Sequence, residues 1–248
     1  MFVFSFSCVI MLYKLFNYLP NAVKRLVERP FLISGAIVDP KWYWFFKLML
    51  ENAGVPKKYQ YMFLPEKKWE ILVDCWANVW LITDIARFMD MEVYAFEPNP
   101  QALNLLSKKY LSDDLVHVIP KAVSNNEWKV DFYYNECVLF DLWATIDREM
   151  AESENLVNKI SVDVVRLSSY LKKEIISRHW KIHLLKLDVE WVEFDIINDI
   201  INEWLYKDIK YIVVETHERF FKNWNEMLRN LKDKITKEGI DNIYLDWV

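Results

Sequence analysis

The sequence predicts an α/β fold, a mainly parallel sheet with helices on both faces. Three observations predict it. From residue 70 onward, short apolar runs of strand length alternate with stretches of helical spacing. The first such run, EILVDC, ends in a carboxylate and passes at once through a turn-like segment into a helical pattern. Hydrophobic residues make up 53% of the 248 and charged residues 27%, a composition able to build a substantial core.

The chain before residue 63 reads as an N-terminal helical extension (1–62), and 63–248 as the α/β domain. MFVFSFSCVIMLY is apolar but shorter than the roughly 20 residues of a membrane-spanning helix. It also lacks the basic start and small-residue cleavage site of a signal peptide. Lys14, Lys24, Arg25 and Arg29 then fall among apolar residues. That pattern suits a helix packed on the domain, or weak contact of residues 1–32 with a membrane surface. Met11 is an alternative start. Residues 40–62 read as a helix ending near Gly54, followed by a loop.

Within the domain, EILVDC is the first strand, LITDIARFMD a helix and MEVYAFEP the second strand. NPQALNLLSKKYLSD is the second helix and LVHVIPKAVS the third strand. KVDFYYNE and KISVDVVRL are strands around an acidic connection, a hairpin-type insertion at about 127–160. SSYLKKEII is a helix with Ser168 or Ser169 as its N-cap. KIHLLKLDVE is the most apolar strand and therefore central. FDIINDIINEWL (helix), IKYIVVETHE (strand), NEMLRNLKDKITKEG (helix) and DNIYLDWV (strand) complete the order.

A net charge of −5 argues against a nucleic-acid binder, which presents a basic face. Cys8, Cys75 and Cys137 are an odd, scattered set with no CxxC pair, which disfavours a disulfide framework or a zinc site. A reducing, cytoplasmic setting fits.

The chemistry lies in four strand ends. VDCWANVW, Val73 to Trp80, has the strand–turn–helix form by which a Rossmann-like fold brings backbone close to a ligand. Asp74, Trp76, Ala77, Asn78 and Trp80 are its candidate cofactor-binding residues. AFEPNP places Glu97, Pro98 and Asn99 at the end of the second strand, at the roughly 20-residue spacing where a carboxylate reaches ribose hydroxyls. The plainer reading is that Glu97 caps the next helix. KLDVEWVEFD places Asp188, Glu190 and Glu193 outside the central strand, where substrate would lie, and VVETHE adds Glu215 and His217. Asp188, Glu190 and His217 are the candidate general bases. No metal is expected. His117, His179 and His183 read as structural.

Together these pieces resemble the FkbM family of S-adenosylmethionine-dependent methyltransferases. Its loop reads D-x-G-A-N-x-G, its second strand ends F-E-P-N-P, its fourth-strand motif is K-x-D-x-E-G-x-E, and a later strand ends E-x-H. Here these are Asp74 to Trp80, Phe96 to Pro100, Lys186 to Glu193, and Glu215 to His217. The resemblance covers about residues 69–220. It implies a class I methyltransferase fold, S-adenosylmethionine as cofactor, and methyl transfer to a hydroxyl of a sugar, glycan or natural product. A dinucleotide-dependent oxidoreductase fits less well, since the third glycine position of its fingerprint is missing.

Each departure from the family pattern has one form: Trp76, Trp80 and Trp191 stand where the motifs carry glycine. The chain has 3 Gly and 12 Trp, where an average composition, about 7% glycine, would give roughly 17 glycines. Trp69, Trp128, Trp143, Trp204 and Trp224 also stand at loop or helix-end places where glycine is ordinary. One base separates the glycine codon GGA from UGA, so the pattern suggests UGA codons that mean glycine in the source and were decoded as tryptophan. The alternative is a degenerate methyltransferase-fold protein whose tryptophans block the cofactor.

Overall fold

The computed structural model describes residues 40–78, 81–134, 151–152, 158–189, 192–216 and 224–247. The chain divides into Met1–Val38, outside the described residues, and Asp39–Val248, which carries every element below.

The sheet grows from its most apolar strands. β1 (Ile71–Cys75) and β7 (Ile182–Leu187) are buried along their whole length. This is the signature of strands covered on both faces. β2 (Glu92–Phe96) and β3 (Val116–Ile119) lie beyond β1, and β8 (Ile209–Val214) and β9 (Ile243–Tyr244) beyond β7. The order is β3-β2-β1-β7-β8-β9, and every neighbouring pair is parallel. The chain runs outward from β1 through β2 to β3, then returns to the other side of β1 as β7. The strand order therefore reverses between β1 and β7, the kind of switch point outside whose strand carboxyl ends open α/β sheets bind ligands.

Helices flank this sheet: α1 (Pro40–Asn52), α2 (Leu81–Phe88), α3 (Pro100–Lys109), α4 (Leu167–Tyr170), α5 (Glu193–Asn202) and α6 (Trp224–Lys237). α4 continues through a π-helical stretch, Leu171–Ile176, into a last turn, Ser177–His179. After α1 the expected loop contains a 3-10 stretch, Lys57–Phe63, with Tyr59, Met62 and Phe63 buried. Neither serine caps α4. The helix starts at Leu167, and Ser168 Oγ instead donates to Asp199 Oδ2 at 2.5 Å on α5.

LVHVIPKAVS does not form one strand. It divides at Pro120, which lacks an N–H for a ladder, into β3 of the large sheet and β4 (Ala122–Ser124) of a second sheet. That sheet has the order β4-β6-β5, with β5 (Trp128–Tyr134) antiparallel to β6 (Asn158–Arg166). Ala122, Phe132, Val162 and Val164 form its apolar face.

Helix ends show a repeated geometry. The chain turns out of α1 at Gly54 (φ 73°) and out of α6 at Gly239 (φ 65°), the left-handed conformation in which helices commonly end. Asp90 does the same after α2 (φ 58°), and aspartate tolerates it. After α5 the equivalent position is Trp204 (φ 56°, ψ 21°), while beyond α4 the chain turns at Trp180 with positive φ (69°) but ψ −37°. Trp204 N donates to Ile201 O, as Gly54 N does to Glu51 O and Gly239 N to Thr236 O.

Candidate active site

Three strand ends converge at the switch point. Asp74 is opposite Lys186 across β1 and β7, and opposite Ala95 across β1 and β2. Beyond Cys75 the backbone turns at Trp76, with φ 77°, and again at Asn78, with φ 48°. β2 holds this turn from one side. Trp76 N and Ala77 N both donate to Phe96 O, at 3.1 and 3.0 Å. Asn78 N donates to Glu97 Oε2 at 2.6 Å, and Asn99 N to Glu97 Oε1 at 2.7 Å.

Glu97 is thus a bracket between the loop and the end of β2. The cap of α3 is Asn99, whose side chain accepts from Gln101 N, with Pro100 in the first turn. Glu97 is 1% exposed, and burial pushes its carboxyl up to about 8 against the two N–H groups that favour its charge. Ala77, Pro98 and Asn99 are buried beside it.

β7 holds the loop from the other side. The Lys186 ammonium lies 3.0 Å from Asp188 Oδ2, 3.3 Å from Asp74 Oδ1 and 3.4 Å from the carbonyl oxygen of Trp76. Thr83 Oγ1 reaches Asp74 Oδ2 at 3.4 Å. Burial would lower the Lys186 pKa, but Asp188 and Asp74 outweigh it and hold the ammonium above its ordinary value. Burial raises Asp74, and Lys186 opposes the rise. Asp188 is the most open of the three, with a side chain 21% exposed.

Glu193 does not join this cluster in an open crevice. It is the first residue of α5 and fully buried. Trp80, Glu190, Trp191 and His217 lie outside the described residues. Among the described residues no group of three or more His, Cys, Asp or Glu is arranged to hold a metal ion. His183 is buried between Met62 O (2.8 Å) and Glu70 (2.5 Å), while His117 and His179 meet Glu92 and Tyr94. A separate groove of about 680 Å³ lies along β6 and α4, lined by Lys121, Trp128, Asp163, Tyr170 and Lys173. None of the strand-end carboxylates faces it.

The indole of Trp76 packs on Phe132 of the small sheet, ring centroids 5.8 Å apart. It occupies the space between the loop and that sheet's apolar face. A loop of this kind exists to let a ligand approach peptide groups, and the Trp76 side chain fills that approach. The backbone itself suits a bound polar ligand. Peptide groups 76–78 are braced from both sides, and Asn78 Oδ1 is a buried acceptor with no partner among the described residues.

The Methyltransferase FkbM domain matches residues 53–235, well over half of the chain and every strand except β9. The chain belongs to the FkbM methyltransferase family. No curated protein matches it. In this FkbM protein the matched region contains the loop, Glu97 and the Lys186–Asp188 pair, so the four strand ends read in the sequence belong to the family's own domain. The sequence offers Lys186 either a carboxylate partner or a place on the other face of its strand, and the structure gives it the carboxylates Asp74 and Asp188. Sequence reasoning missed the third contact, the loop carbonyl of Trp76.

Proposed function

We propose that the chain, with glycine at positions 76, 80 and 191, is an S-adenosylmethionine-dependent methyltransferase acting on a hydroxyl of a sugar, glycan or natural-product acceptor. The observation that carries the reading is the braced loop at the switch point, turned at φ 77° where the family has glycine. The cofactor would supply a methyl group on a cationic sulfonium. Glu97 and peptide groups 76–78 are the residues to hold it. Asp74 and Asp188 outnumber Lys186 in charge, the sign that suits a cationic ligand. Asp188, partly open at the sheet's edge, is the described candidate to orient or deprotonate the acceptor hydroxyl. Glu190 and His217 are proposed beside it from sequence alone. No helix among the described residues is long and apolar enough to cross a membrane. A cytoplasmic enzyme acting on a small or membrane-linked acceptor is the setting proposed.

The glycine reading has support away from the site. Among the described residues, six non-glycine residues have positive φ, and apart from Asn78 and Asp90 all are tryptophan: Trp69, Trp76, Trp180 and Trp204. Left-handed backbone costs an L-residue roughly 1–2 kcal/mol. Trp69, Trp180 and Trp204 are 62%, 83% and 66% exposed, so burial of the ring offsets little of that cost. They precede β1, β7 and β8, at the opposite edge from the crevice. Decay of an active site gives no reason for tryptophan there, whereas a glycine codon read as tryptophan does.

The second reading, a methyltransferase fold that binds no cofactor, is favoured by the Trp76–Phe132 contact. One experiment separates the two. The tryptophan-bearing chain and a Trp76→Gly/Trp80→Gly/Trp191→Gly chain are titrated with S-adenosylhomocysteine by calorimetry, and codons 76, 80 and 191 are read in the source DNA. UGA at all three positions and binding only by the glycine chain are expected. UGG codons, or no binding by the glycine chain, would sink the proposal.

A further inference from the structure

Lysine is an unusual residue for the middle of a six-stranded sheet. Its ammonium loses hydration worth several kcal/mol on burial, and a buried ion cluster is weak evidence for stability, because apolar residues of similar volume often do as well. Lys186 is 5% exposed and lies on one of the two central strands. What it contacts explains its presence better than stability does. Its three neighbours come from three places: Asp74 at the end of β1, the carbonyl of residue 76 in the loop, and Asp188 at the end of its own strand.

Asp74 is under-supplied without it. Asp74 Oδ1 has no hydrogen-bond partner of good geometry, so the 3.3 Å ion pair is what balances that oxygen. β2 braces the loop through N–H groups only. The bond to Trp76 O braces the same peptides through a carbonyl. The loop is therefore held between two strands by bonds of opposite polarity, and Lys186 supplies the β7 side.

We propose that Lys186 is a positioning residue for the methyl-transfer reaction: its ammonium locks the loop after β1 to the carboxylates ending β1 and β7, so that cofactor cradle and Asp188 move as one unit. This rests on the methyltransferase reading. Lys186 does not touch the reacting atoms. It acts through the loop carbonyl and through Asp188.

The test compares the glycine-restored chain with its Lys186→Met and Lys186→Gln variants. Glutamine keeps an N–H donor without the charge and serves if the methionine variant does not fold. Two readouts need no cofactor. Amide hydrogen exchange at residues 76–78 should quicken about tenfold, equivalent to about 1.4 kcal/mol of lost local protection. The Asp74 carboxyl, followed by carbon-13 NMR, should titrate at higher pH, because the cation that opposes its burial is gone. The third readout is the cofactor. Its Kd should weaken about tenfold, and kcat should fall further than KM alone explains. A lysine that only stabilises the fold would lower Tm and raise the Asp74 titration but leave the exchange at 76–78 unmoved, and that result overturns the proposal. If the glycine-restored parent binds no cofactor, the methyltransferase reading fails, while the exchange at 76–78 still decides whether Lys186 locks the loop.

Discussion

Trp180 and Trp247 are the same residue in opposite circumstances. Trp180 sits in the turn between α4 and β7, 83% exposed at positive φ, with no ring contact among those described. Trp247 follows β9, is 3% exposed, and stacks on Tyr59 at 6.1 Å and 13° while also meeting Phe63 at 6.1 Å. Beside it the Tyr59 hydroxyl and the Lys58 ammonium both reach Asp246, and Trp247 N donates to Val214 O. One tryptophan is required by its neighbours and the other is only carried by the chain. Composition counts them alike. Backbone φ and packing separate them, and mark Trp247 as a tryptophan the fold uses.

The contrast breaks most easily at Trp247. Trp247→Ala should cost about 3–5 kcal/mol in urea unfolding, the usual loss for a buried aromatic. A cost near zero would remove the distinction. The next effect belongs to Glu97. Its carboxyl has an ordinary value of 4.5 when unfolded and is raised to about 8 when folded. Between those values the folded state holds the proton that the unfolded state releases. Stability contributed by this group is therefore present below about pH 4.5 and is lost as pH rises toward 8, a change of order a few kcal/mol. In the cofactor-free chain, Glu97→Gln should flatten that slope, measured by unfolding at several pH values. An unchanged slope would show that Glu97 is not its source.

Trp180→Gly should stabilise the chain by about 1–2 kcal/mol through relief of left-handed strain. Trp204→Gly should gain less, because Lys207 lies 5.1 Å from its ring centroid in a cation–π contact that glycine removes. Trp128→Gly gives the smallest effect and the opposite sign. Trp128 was expected at a loop place, but it begins β5, pairs with Val164 and has no positive φ. Glycine there should cost about 0.5–1 kcal/mol. A gain at Trp128 equal to that at Trp180 would mean that φ does not sort these residues.

The α/β class, the strand–helix order and the four motif-bearing strand ends were legible in the residues, because they rest on local periodicity and spacing. The run IHLLKL announced a central strand, and β7 is one. The excess of tryptophan over glycine was also visible, and so was its coincidence with motif glycines. Non-local facts were not. Pro120 divides an apparent strand between two sheets because β4 finds its partner in β6, some 40 residues away. Ser168 turns from its expected cap to Asp199 because α5 packs alongside. Lys186 becomes a junction because parallel pairing sets it opposite Asp74, a partner 112 residues earlier in the chain. Local pattern chooses each element. Pairing and packing choose which side chains meet, and a lysine's charge has no address until two strands lie side by side.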